Sequence, residues 1–253
     1  MKLTILTYNI HKGFSIGNIR FSLHGMKSAI HALNPDIIFL QEVQGSHLFF
    51  SKIIPLWPST TQADALAGTH YPYHVYSENV FSKEGHHGNA ILSKYPILRY
   101  ENINVAKSAN ASRSVLHAEI QLPSGIITHA ICVHFGLFDK ERTAQLHRLS
   151  QRINSHVPHN APLILGGDFN DWQQKATDHL ETEAHMQEAF QTLYGYHART
   201  FPVARPILRV DRIYYRDILL EEATCLSQQP WKKLSDHAPL YARFNIGNVD
   251  DHP

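Results

Sequence analysis

The sequence predicts two β-sheets packed face to face, with helices covering the outside. Three observations lead there. Strand-like segments outnumber helical ones. Some strands are apolar on both faces while others alternate. Two of them flank Pro123-Ser124-Gly125, a hairpin turn signal. A parallel doubly wound sheet is the alternative, and it accommodates the first strand–helix–strand unit but not the hairpin near 114–135.

In order, "LTILTYNI" is apolar and β-branched, as a strand requires. Residues 24–34 place Met26, Ile30 and Leu33 at helical spacing, and Asn34-Pro35 ends that helix. "DIIFLQEV" and "HGNAILSKY" read as strands, and so do "SVLHAEIQL" and "IITHAICVHF" on either side of the hairpin turn. Residues 140–156 form an amphipathic helix with Leu146, Leu149 and Ile153 on one side. "APLILGG", "RVDRIYYRDI" and "APLYARFNI" are later strands, with "EEATCL" between the last two. No repeat or Gly/Ser linker interrupts the chain, so one domain is expected over 1–253, with a core to about 246 and a short tail.

The 253 residues are 43% hydrophobic and 18% charged, a globular balance, and the net charge of +1 gives no global field for nucleic acid or membrane. Two cysteines, Cys132 and Cys225, make no disulfide framework and fit a reducing compartment. The N-terminal apolar stretch is too short for a signal peptide, and no segment approaches the roughly 20 apolar residues of a membrane span. The expected location is cytoplasmic. Most of the 19 histidines sit in polar contexts and read as surface or core imidazoles.

Several apolar strands stop in a residue able to bind a cation or a proton: Asn9, Glu42, His134, Asp168 with Asn170, Asp211, and Asp236 with His237. On an extended chain Asp168 and Asn170 would share a face, while Gly166 and Gly167 let the backbone bend or approach another segment. A buried carboxylate is costly without a partner, and a cation is the natural one. Oxygen donors without a cysteine cluster point to Mg²⁺, Mn²⁺ or Ca²⁺ rather than zinc. Mg²⁺ is held by one or two carboxylates plus substrate phosphate, so Glu42 with little else would suit it. Singly each feature is weak, since "SDH" can cap a turn and a lone histidine is commonly a core residue. Their combination is specific. Asp171 reads as a turn cap, and Ser235 as structural, because adjacent side chains on a strand diverge and cannot make a serine triad.

That combination resembles the endonuclease/exonuclease/phosphatase superfamily. The matching marks run nearly end to end: "LTYNIHKG", "IIFLQEVQ", "HHGNAILSKYPI", "ASRSVLHAEI", "CVHFGL", "ILGGDFNDW", "RVDRIYY" and "LSDHAPLYARF". The resemblance implies a four-layer α/β sandwich, two packed mixed sheets flanked by helices, that hydrolyses phosphate esters with Mg²⁺ or Mn²⁺. It implies Glu42 as principal metal ligand with Asn9 and Asp236 nearby. Asp168 and Asn170 would orient the attacking water, Asp211 and His237 would form a carboxylate–imidazole couple, Arg113 would clamp phosphate, and His134 would be a second catalytic histidine. In the deoxyribonuclease branch a carboxylate near the "HHGNAIL" strand pairs with that histidine. Here Glu84 lies several residues early, with His87 and Asn89 as other occupants of the place.

The general base is open between His237 and Asp168. A phosphodiester substrate is favoured over a phosphomonoester, and nucleic acid stands marginally ahead of a phospholipid head group. The segment 194–216 interleaves arginines with Tyr194, Tyr196 and Phe201, which suits a nucleic-acid backbone and bases. The long, poorly periodic segment 49–88 would shape the cleft, and its apolar content could touch lipid. A non-catalytic binding protein on this fold is the competing class.

Overall fold

The computed structural model describes residues 1–105 and 113–247. The expected tail beyond 246 falls almost wholly outside the described residues.

Strand β1 (Lys2–Asn9) leads through a short 3-10 turn at His11–Gly13 into helix α1 (Leu23–Leu33). The helix ends at Asn34-Pro35 as expected, and Asn34 closes it in the left-handed conformation that asparagine tolerates at a helix C-terminus. Strand β2 (Ile37–His47) runs parallel to β1. Short helices α2 (Phe50–Ile53) and α3 (Gln62–Ala67) follow, then β3 (Tyr73–Phe81) and β4 (Gly85–Ser93). The second half opens with β5 (Ile97–Asn104), β6 (Ser114–Gln121) and β7 (Ile127–His134). Helix α4 (Asp139–His156) crosses to β8 (Leu163–Asp168), parallel to β7. Helix α5 (Lys175–Ala184), the short β9 (Gln187–Glu188), helix α6 (Ala189–Tyr194), β10 (Asp211–Arg216), β11 (Leu219–Cys225) and β12 (Leu240–Asn245) complete it.

Two six-stranded mixed sheets result, in the orders β11-β12-β1-β2-β4-β3 and β5-β6-β7-β8-β10-β9. They pack face to face over a core that includes Ile5, Phe39, Ile91, Leu116, Ile164 and Ile213. Cys132 is fully buried there, as the apolar run around it suggests, and both cysteines are free. Helices α1 and α3 cover the outer face of the first sheet through Met26, Ile30 and Leu66. Helices α4 and α5 cover the second through Leu146, Leu149, Ile153 and Leu180. This is the four-layer α/β sandwich, and the doubly wound alternative falls because each sheet is mixed.

The segment 49–88 holds more order than its weak periodicity predicts. Thr61 and Asp64 form a reciprocal capping box that starts α3, and β3 is an edge strand whose half-burial is supplied by β4. Helix α5, like β5, β9 and α6, is also unpredicted. Its apolar face is narrow, with Ala176, Leu180 and Ala184 spaced four apart among charged residues. No helix among the described residues is long and apolar enough to cross a membrane.

Candidate active site

The register of the second sheet lines up three of the expected residues. His134 on β7 pairs with Asp168 on β8, and Asp168 pairs with Asp211 on β10. All three are buried, so three apolar strands deliver three polar groups side by side. Gly166 and Gly167 permit this. A Cβ on Gly166 would lie 2.6 Å from the Phe39 ring of the facing sheet, and one on Gly167 would lie 2.0 Å from the Val133 carbonyl oxygen. Both glycines thus serve close approach, as the sequence suggests.

Asp168 and Asn170 come together differently from expectation. The chain leaves the strand at Asp168 and turns left-handed at Asn170, with φ 49°. The Asn170 backbone N–H donates to Asp168 Oδ1 at 2.9 Å, and its side-chain Nδ2 donates to the Phe135 carbonyl at 2.9 Å. A tight turn, not the pleat, sets their geometry. Asp171 Oδ2 accepts from the Ala176 N–H at 2.8 Å, the expected cap into the following helix.

The first sheet supplies the opposite wall. Asn9 Nδ2 donates to Asp168 Oδ2 at 3.1 Å and lies 3.4 Å from Glu42 Oε1. Glu42 is not at a strand tip. It sits inside β2 at a bulge, with φ 53°, where the pairing with β4 shifts register between Leu40 and Val43. The bulge turns its carboxylate toward the site, a common use of such irregularities beside active sites. Burial opposes its charge, but His134, Lys12 and His11 outweigh that and hold the carboxyl well below its ordinary range. The loop before β12 brings Asp236 and His237, and Ser235 anchors it by donating to the Asn9 carbonyl at 2.8 Å. Ser235 is therefore structural, as predicted.

His237 bridges the two sheets. Its Nδ1 lies 2.8 Å from Asp211 Oδ2, and its Nε2 lies 3.8 Å from Asp168 Oδ2. Burial disfavours its charged form, but the carboxylates, Asp211 foremost, raise its pKa to about 10. Asp168 moves up to about 6, through burial and the nearby Asp211. His134 faces the same carboxylate, Nε2 to Asp168 Oδ2 at 3.8 Å, while Arg113 Nη1 donates to its Nδ1 at 3.1 Å. Burial and then Arg113 pull His134 down to about 3. Glu84 lies against His47 at 3.7 Å, and Asn89 donates to the Ser114 carbonyl at 3.3 Å. Arg113 therefore holds the place where a carboxylate was sought.

Asn9, Glu42, Arg113, His134, Asp168, Asn170, Asp211, Asp236 and His237 thus lie close together between the two sheets, whereas Glu84 and Asn89 are engaged elsewhere. His11 was missed. Its Nδ1 lies 3.2 Å from Asp236 Oδ2 and 4.0 Å from Glu42 Oε2, between the two carboxylates. Its position two residues after Asn9 was the available signal. Glu42, Asp236 and the Asn9 carboxamide offer hard oxygen donors suited to a divalent cation. The His11 Nε2 and the Asp211 Oδ1 are buried without a hydrogen-bond partner, so the pocket has unspent polar capacity at both ends. Asp168, Asp211 and His237 form a second close group, with ligand atoms within 4.8 Å of one another.

The basic segment 194–216 is less available than its sequence implies. Arg212 is buried and donates to the Asp211 and Asp171 carbonyls, and Arg216 donates to those of Ala184 and Pro158.

Comparison with known proteins agrees with this architecture. The protein named YbhP of Escherichia coli K12, itself uncharacterized, is 42% identical over 243 residues, 96% of each chain. Zebrafish (D. rerio) TDP2 in complex with a single-strand DNA product superposes with a TM-score of 0.71 at 21% identity, covering 97% of this chain and 99% of that one. A mannosyl-6-phosphatase from Bacteroides thetaiotaomicron superposes with a TM-score of 0.73 at 15% identity, covering 96% and 100%. At such identities the two structures attest the fold. The model of the Endonuclease/Exonuclease/phosphatase family matches residues 6–237, which span the whole cleft, and the chain belongs to that family.

Proposed function

We propose that the chain is a single catalytic domain, a divalent-metal-dependent hydrolase of phosphodiesters. The observation that carries this is the His237 ring, bracketed by Asp211 at 2.8 Å and Asp168 at 3.8 Å beside the Glu42 and Asp236 carboxylates. Such a cleft offers a base, a fixed cation and oxygen donors within one small volume. Family membership supports phosphate-ester chemistry, and the two fold neighbours include one with a DNA product and one named as a sugar phosphatase.

Glu42, with Asn9 and Asp236, would hold Mg²⁺ or Mn²⁺, which supplies charge neutralisation at a phosphoryl oxygen. The other roles fall to the chain's own groups. Asp168 is the base that takes the proton of the attacking water. Asn9 and the Asn170 N–H fix its two oxygens, and burial beside Asp211 makes it more basic than a free carboxylate. His237, which Asp211 favours in its protonated form, binds a phosphoryl oxygen as a fixed cation. His134 presents its Nε2–H to the departing side of the phosphate, and Arg113 orients it.

Hydrolysis of bis-p-nitrophenyl phosphate tests the reading. Turnover with Mg²⁺, loss on adding EDTA, and a fall of at least ~10²-fold in kcat for Asp168→Ala and for His237→Ala are expected. Turnover indifferent to chelator, or full rate in either variant, would remove the metal or that residue from the mechanism.

A further inference from the structure

Two loops beside the cleft carry an exposed apolar surface on a rigid aromatic base. The rings of Phe14, Phe21, Phe50 and Trp57 pack together, with centroids 5.2 Å apart for Phe14–Phe50, Phe21–Trp57 and Phe50–Trp57. This base ties segment 14–21 to segment 47–57. Above it Ile16, Ile19, Leu48, Phe49, Ile53 and Leu56 are exposed, Ile19 at 84%, Leu48 at 63% and Leu56 at 64%. Clustered exposure of this kind marks an interaction surface.

Its position links it to the chemistry. Segment 14–21 begins three residues after His11, whose ring touches Asp236. Across the cleft Leu137 and Phe138 follow His134 closely, and Trp172 follows Asn170; all three are exposed, Phe138 at 75%. Loops from both sheets therefore surround the catalytic cleft with apolar side chains.

Within the two aromatic-based loops themselves the formal charge has one sign. Stretches 10–35 and 43–63 contain no Asp or Glu, but they carry Lys12, Arg20, Lys27 and Lys52, of which Arg20 and Lys52 are exposed. Glu84, whose carbonyl accepts from the Leu48 N–H, turns its carboxylate to His47, and across the cleft Asp139 is paired with Arg142 and Lys175.

We propose that this rim seats the protein on an anionic phospholipid surface. The aliphatic tips enter the boundary between head groups and acyl chains while Arg20 and Lys52 meet lipid phosphates. Apolar insertion and basic attraction together give the two signals that stable peripheral attachment needs. Seated this way, the protein presents its cleft to a head-group phosphodiester; that step rests on the function proposed above. Nucleic acid fits the rim less well. Single strands are held by stacking on aromatic faces and by a dense cationic track. Most of the exposed tips here are isoleucine and leucine, and Arg212 and Arg216 are engaged with backbone carbonyls.

The test is co-sedimentation of the full chain with vesicles of phosphatidylglycerol and phosphatidylethanolamine, against vesicles of phosphatidylcholine alone. The comparison variant is Ile19→Glu/Leu48→Glu/Leu56→Glu, with bis-p-nitrophenyl phosphate turnover and oligomeric state measured alongside. Binding to the anionic vesicles at least ~10-fold stronger than to the neutral ones is expected, as is a loss of at least ~10-fold in the variant with turnover of the soluble diester unchanged. Three results would overturn the inference: no sedimentation with anionic vesicles, equal sedimentation of the variant, or a variant whose defect is loss of single-stranded DNA binding or of a dimer. Absent vesicle binding with intact diester turnover sinks this inference and spares the proposed activity; vesicle binding without diester turnover does the reverse.

Discussion

Arg113 Nη1 donates to His134 Nδ1 across 3.1 Å. A guanidinium cannot accept, so the imidazole keeps its single proton on Nε2, the nitrogen 3.8 Å from Asp168. A carboxylate in that place would favour the imidazolium; Arg113 favours the neutral ring. Glutamine can imitate a neutral Nε2–H donor. His134→Gln should therefore keep kcat within ~10-fold of wild type while His134→Ala loses ~10²-fold, in single-turnover hydrolysis of bis-p-nitrophenyl phosphate. Equal losses in both variants would mean that His134 transfers a proton.

Glu42 should govern the metal requirement. Glu42→Gln keeps the side chain's size and one carbonyl oxygen but removes the charge, which weakens the oxygen donor set. The expected result is a rise of at least ~10-fold in the Mg²⁺ concentration for half-maximal rate. The readout is a Mg²⁺ titration after EDTA stripping, and an unchanged midpoint would relocate the cation toward Asp168, Asp211 and His237.

The contact between Gly166 and Phe39 makes a prediction about stability. A methyl on Gly166 would stand 2.6 Å from the Phe39 ring, so Gly166→Ala overpacks the core between the sheets. A cost of about 1–3 kcal/mol is expected, in chemical denaturation. Phe39→Leu in the same chain should recover part of it, and a strictly additive double variant would show that the ring is not what the methyl meets.

A buried histidine pair on β6 and β7 should contribute to acid sensitivity alongside His134. Arg152 Nε donates to His117 Nδ1 at 3.2 Å, and His117 Nε2 lies 2.9 Å from His129 Nδ1. Burial, followed by His129 and Arg152, pulls His117 from 6.5 down to about 3. The unfolded chain therefore binds more protons between those values, so the neutral ring's contribution is complete above pH 6.5 and is lost as the pH falls toward 3. The loss attributable to this group is up to about 1 kcal/mol per pH unit. His117→Gln should flatten the fall of Tm between pH 6.5 and 4 relative to wild type; an identical slope would assign the acid lability to other groups.

Much of this was legible in the sequence because its polar residues stand out against apolar strands. Asn9, Asp168 and His134 close hydrophobic runs, and the repetition of that pattern pointed to convergence. Glu42 was legible as a residue but not as a bulge, since the register shift with β4 depends on a partner strand far along the chain. Helix α3 and strand β3 escaped because one is a single capped turn and a half and the other is ordered by its neighbour. The basic promise of 194–216 misled in part, for composition does not reveal that Arg212 and Arg216 spend their donors on carbonyls. His11 hid among many histidines.

The cleft is a seam. Asn9 and Glu42 hang from one wall, while His134, Asp168 and Asp211 hang from the other. Asn9 and His237 are the stitches across it. Its width is therefore fixed by the thickness of the filling between the walls, by Phe39 and its neighbours, and not by any single loop. Kindred chains that exchange those greasy residues can retune the gap without altering one polar atom.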